Sequence, residues 1–373
     1  MDKQIPFVDF YKLNKPFEAD FLGELSNIIE KKWYILGEKV SNFEKEYAIF
    51  SNTRYCIGVA NGLDALVLSL KALDIKDGDE VIVPSNTYIA SWLAVTLVGA
   101  KVVPVEPDID TCNIDYSKIE EKINKRTKVI MAVSLYGQAA ELVKILEICK
   151  KHNIYLVEDN AQAHGATCEK KITGSFGIVN ATSFYPGKNL GALGDAGAIT
   201  TNDETIYNKI KLLRNYGSQI KYENEIIGHN SRLDELQAAF LGIKLKRLNE
   251  QNSHRIRSAQ LYNDHLNGIG DIILPKVAKD CTSVFHIYQI RSKYRTLLQN
   301  ELAKHNISTM IHYPKPPHLQ KAYDFLGFNV GDFPIAEEIA NTTLSLPMDP
   351  HISDDEILKI CTVIKNVFNT KIK

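Results

Sequence analysis

The sequence predicts an α/β fold, in which a large, mainly parallel sheet covered by helices precedes a smaller C-terminal α+β domain. Short apolar strands alternate with helices between about residues 55 and 201, and this alternation is typical of parallel sheets with helices on both faces. The pattern changes near residue 204 and becomes mixed after about residue 250. We therefore divide the 373 residues into an N-terminal arm with a large domain (1–250) and a small domain (251–373), a length sufficient for both.

The first elements are a helix and a strand-turn-helix unit. Residues 17–31 have apolar side chains at helical spacing. Residues 55–60 form a buried strand that runs into Asn61, which is placed to cap the next helix. Free backbone N–H groups at such a junction can bind a phosphate, and a plain helix cap is the alternative. The apolar positions of the first helix are Phe21, Leu25, Ile28 and Ile29.

Six further strands are predicted along the large domain, at residues 80–84, 101–105, 128–133, 154–157, 180–184 and 196–201. Parallel sheets of this kind bind ligands at the C-terminal ends of their strands. Tyr88, Asp159 and Ser183 follow or end three of these strands. We therefore expect these three side chains to lie close together.

The remaining elements belong to the end of the large domain and to the small domain. One long helix is predicted from its apolar face, short strands lie near residues 284–291, and a Pro-rich turn covers 313–317. Ser353 and Glu356 form a capping box at the start of the last helix. The apolar face of the long helix is assigned to Leu233, Leu236, Phe240 and Ile243.

Composition and charge are those of an ordinary globular chain, with 24% charged and 45% hydrophobic residues and a formal net charge of -1. No basic field is present to recruit nucleic acid or an anionic membrane. No signal-peptide core or membrane-spanning run is found, and we expect a cytoplasmic protein. The cysteines show no CxxC spacing, so neither a metal site nor a disulfide framework is predicted; they stand at positions 56, 112, 149, 168, 281 and 361.

Lys188 is the residue around which the candidate chemistry is built. It lies in a segment, 183–197, with four glycines, and no acidic residue stands within six positions of it. Burial among apolar groups lowers the pKa of a lysine, and a neutral amine can form an imine with an aldehyde. The glycines permit close backbone approach around a flat ligand. A Gly-rich loop with an incidental lysine is the alternative.

Asp159 supplies the second half of the pattern. An acid just past a buried strand is costly unless it is paired. A protonated ring nitrogen, such as that of pyridoxal phosphate, is a suitable partner because the electron-sink behaviour of the ring depends on that charge. A helix cap or a structural ion pair is the alternative for Asp159. A stacking aromatic (Tyr88), the phosphate turn and the Ser183 hydroxyl complete what this cofactor requires.

At these residues the chain resembles the sugar aminotransferases of the DegT/DnrJ/EryC1/StrS family, which have the pyridoxal-phosphate-dependent fold type I of aspartate aminotransferase. The similarity extends from about residue 37 to residue 348. The motifs that carry it are a phosphate turn, a pyridine-nitrogen motif, a lysine segment and a dimer-contact segment, at residues 60–66, 158–165, 183–197 and 230–235.

The resemblance implies a role for each matching residue. Lys188 forms the imine and moves the proton, and Asp159 pairs with the pyridine nitrogen. The phosphate is held by the backbone of Gly62 and Leu63, by Ser183, and by Asn230 of a neighbouring subunit, so a homodimer with shared sites is implied. Leu63 stands where many relatives carry Thr, which removes one side-chain contact. Gln162 lies near the ring hydroxyl and Tyr88 stacks on the ring, whereas His164 is left without an assigned role.

The resemblance also indicates a substrate. Tyr185, His312 and Tyr313 resemble the sugar contacts of the branch that aminates C3 of a dTDP-linked 3-keto-6-deoxyhexose, with L-glutamate as donor; packing beside the Pro-rich turn is the alternative for the last two. The product would be a dTDP-3-amino-3,6-dideoxyhexose. A C4 aminotransferase acting on a 4-keto sugar is the alternative, followed by a non-catalytic regulator with the same fold. The configuration at C4 of the sugar is not indicated by the sequence.

Overall fold

A seven-stranded sheet forms the centre of the computed structural model, which describes residues 4–372. Its order is β1-β9-β8-β5-β4-β2-β3, and β9 alone runs antiparallel to its neighbours. The mainly parallel sheet predicted from the sequence is confirmed. The strands are β1 (Tyr55–Val59), β2 (Glu80–Pro84), β3 (Lys101–Val105), β4 (Thr127–Val133), β5 (Tyr155–Asp159), β6 (Thr167–Cys168), β7 (Lys171–Ile172), β8 (Val179–Ser183), β9 (Gly197–Thr201), β10 (Ser218–Ile220), β11 (Glu223–Asn224), β12 (Tyr288–Arg291) and β13 (Thr343–Leu346).

Helices cover this sheet and build the C-terminal part of the chain. Each of the pairs β6–β7, β10–β11 and β12–β13 forms a small antiparallel sheet of its own. The helices are α1 (Phe10–Asn14), α2 (Glu18–Lys31), α3 (Glu38–Phe50), α4 (Gly62–Ala72), α5 (Ile89–Leu97), α6 (Leu142–His152), α7 (Glu204–Leu213), α8 (Glu235–Leu245), α9 (Leu248–Leu266), α10 (Arg295–Lys304), α11 (Pro334–Thr342) and α12 (Asp354–Thr370). Within residues 4–372, none of them is long and apolar enough to cross a bilayer.

Two local predictions needed correction. Strand β5 continues to Asp159, so this carboxylate ends the strand instead of following it. Leu233 is buried but precedes α8, which begins at Glu235 behind Asp234 as N-cap. The side-chain carboxylate of Glu235 accepts hydrogen bonds from the backbone N–H groups of residues 37, 39 and 40, at the start of α3. Apolar spacing alone does not distinguish a residue in the first turn of a helix from one that lies just before the helix.

The structure confirms the two helix N-caps that were predicted from the sequence, at the starts of α4 and α12. Asn61 Oδ1 accepts a hydrogen bond from the backbone N–H of Asp64 at 2.8 Å. Ser353 and Glu356 form the reciprocal capping box of α12. These caps satisfy backbone N–H groups that have no partner inside the helix. Both interactions join residues three positions apart, which is why sequence alone reveals them.

The two halves of the chain have separate apolar cores. One packs α4, α5 and α7 against the sheet, and the other packs α9, α10 and α12 around β12 and β13 and includes Ile5 of the N-terminal arm. Helix α9 spans residue 250, the boundary drawn from the sequence. The division into 1–250 and 251–373 stays a prediction, and the arm contributes a side chain to the second core.

Helix α2 leaves part of its apolar face uncovered. Phe21 and Ile28 are buried, whereas Leu25 and Ile29 are exposed in this single chain. Trp33, just after the helix, is also exposed. A helix face that is apolar and exposed at adjacent turns is typical of a surface that contacts another protein.

Candidate active site

A cavity of about 850 Å³ opens at the C-terminal edge of the sheet. It lies between the ends of β5 and β8, the turn before α4, and residues 308–313 of the C-terminal part, with the N-terminal arm on one side. Most of the candidate residues line it. These are Gly62, Leu63, Tyr88, Asp159, Gln162, Ser183, Tyr185, Lys188, His312 and Tyr313.

Lys188 faces this cavity and is half-buried. Burial lowers the pKa of its ammonium to about 8, while the negative charge of Asp159 acts in the opposite direction. Within residues 4–372 its side-chain amine has no hydrogen-bond partner. About a tenth of an amine with this pKa is neutral at pH 7, far more than for an ordinary lysine, and this neutral form can react with a ligand.

Lys244 shows that a lowered pKa alone does not identify the reactive lysine. Burial also lowers its pKa to about 8. Its ammonium, however, donates hydrogen bonds to the carbonyl oxygen of Gly191 at 2.5 Å and to Asn14 Oδ1 at 3.2 Å, and it does not line the cavity. Lys244 therefore stabilises the backbone of the lysine segment through its hydrogen bond to Gly191.

Asp159 is buried on the floor of the cavity, and burial raises its pKa. Its carboxylate accepts hydrogen bonds from Ser91 Oγ at 2.9 Å and from the backbone N–H of Ala161 at 3.1 Å. Thr87 Oγ1 lies 3.0 Å from Ser91 Oγ and extends this chain of hydroxyls. No ion pair to Asp159 is found in the described part of the chain. A buried carboxylate that has hydrogen bonds but no ion-pair partner is suited to a cationic ligand group.

The turn before α4 offers free hydrogen-bond donors. The backbone N–H groups of Gly62 and Leu63 have no partner among the residues the structure describes. A Cβ atom at position 62 would lie 2.5 Å from Ser183 Cβ, so only glycine lets the turn approach Ser183. Two donors and a hydroxyl therefore meet at one helix N-terminus, an arrangement that suits a phosphate.

Two of the four glycines in the lysine segment serve a different purpose from the one expected. A Cβ atom at Gly191 would lie 2.3 Å from the carbonyl oxygen of Pro186, and one at Gly197 would lie 2.4 Å from that of Asn61. These glycines pack protein backbone against protein backbone. The expectation that they make room for a flat ligand was wrong for both positions.

Tyr88, Gln162 and Tyr313 form one wall. The rings of Tyr88 and Tyr313 are 5.3 Å apart between centroids. Gln162 Nε2 donates to the hydroxyl of Tyr313 at 3.0 Å, and Gln162 Oε1 accepts from the backbone N–H of Tyr136 at 2.7 Å. The orientation of Gln162 is therefore determined by its protein contacts.

His312 and Tyr313 combine packing with access to the cavity. His312 Nδ1 lies 2.8 Å from Ser345 Oγ, and its ring contacts Phe7 of the N-terminal arm. Burial lowers the pKa of His312 to about 4, so its imidazole is neutral at neutral pH. Tyr185 also lines the cavity and is exposed.

His164, which had no assigned role, is a structural residue. Its Nδ1 accepts a hydrogen bond from the backbone N–H of Leu190 at 3.2 Å, and its Nε2 lies 2.9 Å from Thr182 Oγ1. Burial lowers its pKa to about 3. The neutral ring fastens the lysine segment, two residues beyond Lys188, to strand β8.

His286 lines the cavity and was missed in the sequence. Asn189 Nδ2 donates to Asn252 Oδ1 and to the carbonyl oxygen of Val284, so Asn189 Oδ1 must accept, and it lies 3.2 Å from His286 Nδ1. The proton of the neutral ring is therefore on Nδ1, and Nε2 is an acceptor. His286 lies 98 positions from Lys188 in a segment without a motif, so the sequence offered no signal for it. Ser91, which contacts Asp159, was also missed, although it lies only one helical turn after the candidate residue Tyr88.

Asn230 stands apart from the other candidates. It is exposed and does not line the cavity of its own chain. The next residue, Ser231, accepts a hydrogen bond at its Oγ from the backbone N–H of Ala60 at 3.2 Å, which holds this segment beside the end of β1. Asn230 is thus presented outward next to the turn that precedes α4.

Comparison with known proteins agrees with this geometry. The sequence profile of the DegT/DnrJ/EryC1/StrS aminotransferase family matches residues 16–365. The dTDP-3-amino-3,6-dideoxy-alpha-D-galactopyranose transaminase of Aneurinibacillus thermoaerophilus is 50% identical over 360 residues, which cover 96% of this chain and 98% of that protein. The erythromycin biosynthesis sensory transduction protein EryC1 of Saccharopolyspora erythraea is 43% identical over 361 residues, covering 97% and 99%.

A solved structure is similar over the same length. The crystal structure of S. venezuelae DesV in complex with a ketimine intermediate has a TM-score of 0.96 and 41% identity, and the match covers 98% of each chain. The profile match spans well over half of the residues, and Lys188 and Asp159 both line the cavity. The chain belongs to the DegT/DnrJ/EryC1/StrS aminotransferase family.

Proposed function

We propose that the protein transfers the amino group of L-glutamate to C3 of a dTDP-linked 3-keto-6-deoxyhexose and releases the dTDP-3-amino-3,6-dideoxyhexose. The observation that carries this proposal is that Lys188 and Asp159 face one cavity. The name of the Aneurinibacillus relative, which describes a 3-amino-3,6-dideoxy sugar, supports C3 as the reacting carbon. The same name supports dTDP as the nucleotide.

Pyridoxal phosphate is the cofactor, and the residues present fit it. When bound, it supplies an electron sink for the bond broken at the amino-bearing carbon. Asp159, buried without an ion pair among the described residues, is placed to hold the protonated ring nitrogen. The free N–H groups of Gly62 and Leu63, with the hydroxyl of Ser183, are placed to hold the phosphate. Tyr88 is the aromatic side chain for the ring face.

Lys188 carries the proton transfers in this proposal. A proton must leave the donor carbon and later reach the sugar carbon. An amine with a pKa of about 8 can take up and release that proton near neutral pH. The cavity around Lys188 is lined mainly by apolar side chains, which disfavour the charged form of the amine.

The sugar is assigned to the side of the cavity formed by Tyr185, His312 and Tyr313. The two tyrosines carry hydroxyl groups that can donate to or accept from sugar hydroxyls. His286 Nε2 adds an acceptor beside the lysine segment. A 6-deoxy carbon suits the apolar lining contributed by Phe7 and Met310.

Assaying keto sugars in parallel tests the proposal. The purified protein, loaded with pyridoxal phosphate, is given L-glutamate with a 3-keto or a 4-keto dTDP-6-deoxyhexose. The 3-keto sugar is supplied in both configurations at C4, and the 4-keto sugar in both configurations at C3. We expect amination of the 3-keto substrates only. Amination of the 4-keto substrate alone would replace C3 by C4.

The regulator alternative has its own readout in the same experiment. The relative EryC1 is named a sensory transduction protein, so the experiment also tests whether this protein is a regulator without catalytic activity. A catalytic protein changes its visible spectrum when glutamate is added, because the cofactor receives the amino group. A protein that holds the cofactor but shows no spectral change with glutamate and no turnover would be a binding module.

Asn230 supports the proposal of a homodimer with shared sites. It faces away from the cavity of its own chain, next to the candidate phosphate turn. Exposed apolar side chains at Leu25, Ile29 and Trp33 provide surface for a partner. We infer that Asn230 reaches the phosphate bound by a second copy of the chain.

A further inference from the structure

Cys168 and Cys281 are 113 positions apart in the sequence but face each other across an antiparallel bridge. The hydrogen bonds next to them flank the two cysteines and do not join them. This pattern defines a non-hydrogen-bonded pair, in which the Cα atoms are about 4.5 Å apart. The flanking bonds run from the N–H of Glu169 to the carbonyl oxygen of Asp280 at 2.7 Å and from the N–H of Thr282 to that of Thr167 at 2.8 Å.

This backbone geometry is compatible with a disulfide. Directly opposed residues of an antiparallel pair project their side chains from the same face of the ladder. Disulfides join residues whose Cα atoms are about 4.4 to 6.8 Å apart. The bridge also has side-chain support, since Thr167 Oγ1 and Thr282 Oγ1 are 3.1 Å apart. The two sulfur atoms can therefore be joined without moving the backbone.

The two thiols differ in environment. Cys168 is buried, whereas Cys281 is half-buried and donates a weak hydrogen bond to the carbonyl oxygen of Ala140. When Cys168 is a thiolate, the single S–H of Cys281 can turn from Ala140 to the Cys168 sulfur, which lowers the pKa of Cys168 and raises that of Cys281. The thiolate form of Cys168 is the nucleophile of this pair, and Cys281 is the thiol that lies opposite it.

We propose that Cys168 and Cys281 form a reversible disulfide when hydrogen peroxide reaches them, so that the pair is a redox modification site of this protein. The Cys168 thiolate attacks one peroxide oxygen, the O–O bond breaks, and hydroxide leaves. The resulting sulfenic acid reacts with Cys281, its S–O bond breaks, and the S–S bond forms as water is released. The two sulfurs together lose two electrons to the peroxide. A thiol reductant restores both cysteines.

The bond would join two walls of the cavity. Gln162 lies six positions before Cys168, and His286 lies five positions after Cys281. The disulfide would link the two segments that carry these cavity residues. Cross-linking positions so far apart in the chain also restricts the unfolded state, so the oxidised protein should melt at a higher temperature.

The test uses the purified full-length protein before and after treatment with hydrogen peroxide. We expect the wild type to lose two titratable thiols, to yield one cross-linked peptide pair containing Cys168 and Cys281, and to gain in Tm. Dithiothreitol should reverse all three changes. Cys281→Ser should show no cross-link and no gain in Tm.

A matched control keeps the pair and removes another buried cysteine. Cys361→Ser should lose two thiols, as the wild type does, because Cys361 is a buried residue of helix α12 and belongs to the other apolar core. An unchanged thiol count in the peroxide-treated wild type would overturn the proposal, and so would a cross-link between any other cysteines. If Cys168→Ser fails to fold, Cys281→Ser, at the half-buried position, still decides the outcome.

Discussion

Lys188 and Lys244 both have a pKa lowered to about 8 by burial, yet only Lys188 lines the cavity. The ammonium of Lys244 donates to two oxygen acceptors, whereas the amine of Lys188 has no hydrogen-bond partner within residues 4–372. At the scale of single residues, an accessible and unpaired amine is therefore the property that matters. The same reasoning applies to Asp159, whose buried carboxylate has hydrogen bonds but no ion pair in the described chain.

Borohydride should lock the cofactor onto Lys188. Reduction of the loaded protein makes the bond between lysine and cofactor permanent, and peptide mapping identifies the modified residue. We expect the label on Lys188 in the wild type and in Lys244→Met. Label on Lys244, or retained turnover by Lys188→Ala, would contradict the assigned role.

Asp159→Asn should lower kcat about 100-fold or more, equivalent to roughly 3 kcal/mol of lost stabilisation, because an amide cannot neutralise a ring cation. Stopped-flow spectra of the glutamate half-reaction give the rate. Glu158→Gln is the neighbouring control. Its carboxylate accepts hydrogen bonds from the backbone of Gly174 and Phe176 and does not line the cavity. Equal losses in the two variants would remove the special role of Asp159.

At the scale of elements, the site depends on how closely the start of α4 approaches the end of β8. The approach brings the N–H groups of Gly62 and Leu63 beside Ser183. His164 adds a second connection, since it fastens the lysine segment to β8. The cavity thus has rigid walls where the phosphate and the lysine are expected.

Gly62→Ala should weaken binding of pyridoxal phosphate by about tenfold or more, because the added methyl group lies 2.5 Å from Ser183 Cβ and must push the turn away. Fluorescence or absorbance titration measures the dissociation constant. Gly23→Ala is the control: it lies within helix α2 with no atom within 4 Å of the added carbon, and it should leave cofactor binding unchanged. An unaltered dissociation constant for Gly62→Ala would show that the turn does not hold the phosphate.

At the scale of the whole molecule, pH should act through buried histidines. The pKa of His164 is about 3 in the folded protein, against an ordinary value of 6.5. Between these values the unfolded chain binds a proton that the folded protein does not. The free energy of unfolding should therefore fall as the pH decreases below 6.5, by about 1.4 kcal/mol per pH unit for this group.

Urea titrations between pH 6.5 and pH 5 measure this slope. His164→Gln should be less stable at pH 6.5 but should show a flatter decrease towards pH 5. His254→Gln, at an exposed position, should keep the wild-type slope. If His164→Gln keeps the slope as well, the histidine does not stay neutral in the folded protein.

The dimer proposal predicts complementation between two inactive variants. Asn230→Asp places a carboxylate beside the neighbouring phosphate and should abolish most activity, as Lys188→Ala does. Co-expressed with different tags and purified as mixed dimers, the two variants should regain activity, because one site in each mixed dimer then has both native residues. Absence of recovery in verified mixed dimers would place Asn230 outside the shared site.

The sequence by itself determined the features that depend on neighbouring residues. The alternation of strands and helices, the Asn61 cap, the Ser353–Glu356 capping box and the contiguous lysine segment all involve residues within a few positions of one another. Such patterns are set by helical and strand periodicity and by local hydrogen bonds. They were sufficient to predict the α/β architecture, and ten of the eleven candidate site residues line the cavity.

Only the tertiary structure decided which distant groups meet. The contact between Ser91 and Asp159, the orientation of His286 by Asn189 and the opposition of Cys168 and Cys281 join residues 68 to 113 positions apart. The antiparallel direction of β9 and the packing role of Gly191 and Gly197 belong to the same group. These features depend on how strands order within the sheet and on contacts made after the chain has folded, for which a single sequence has no periodic signal.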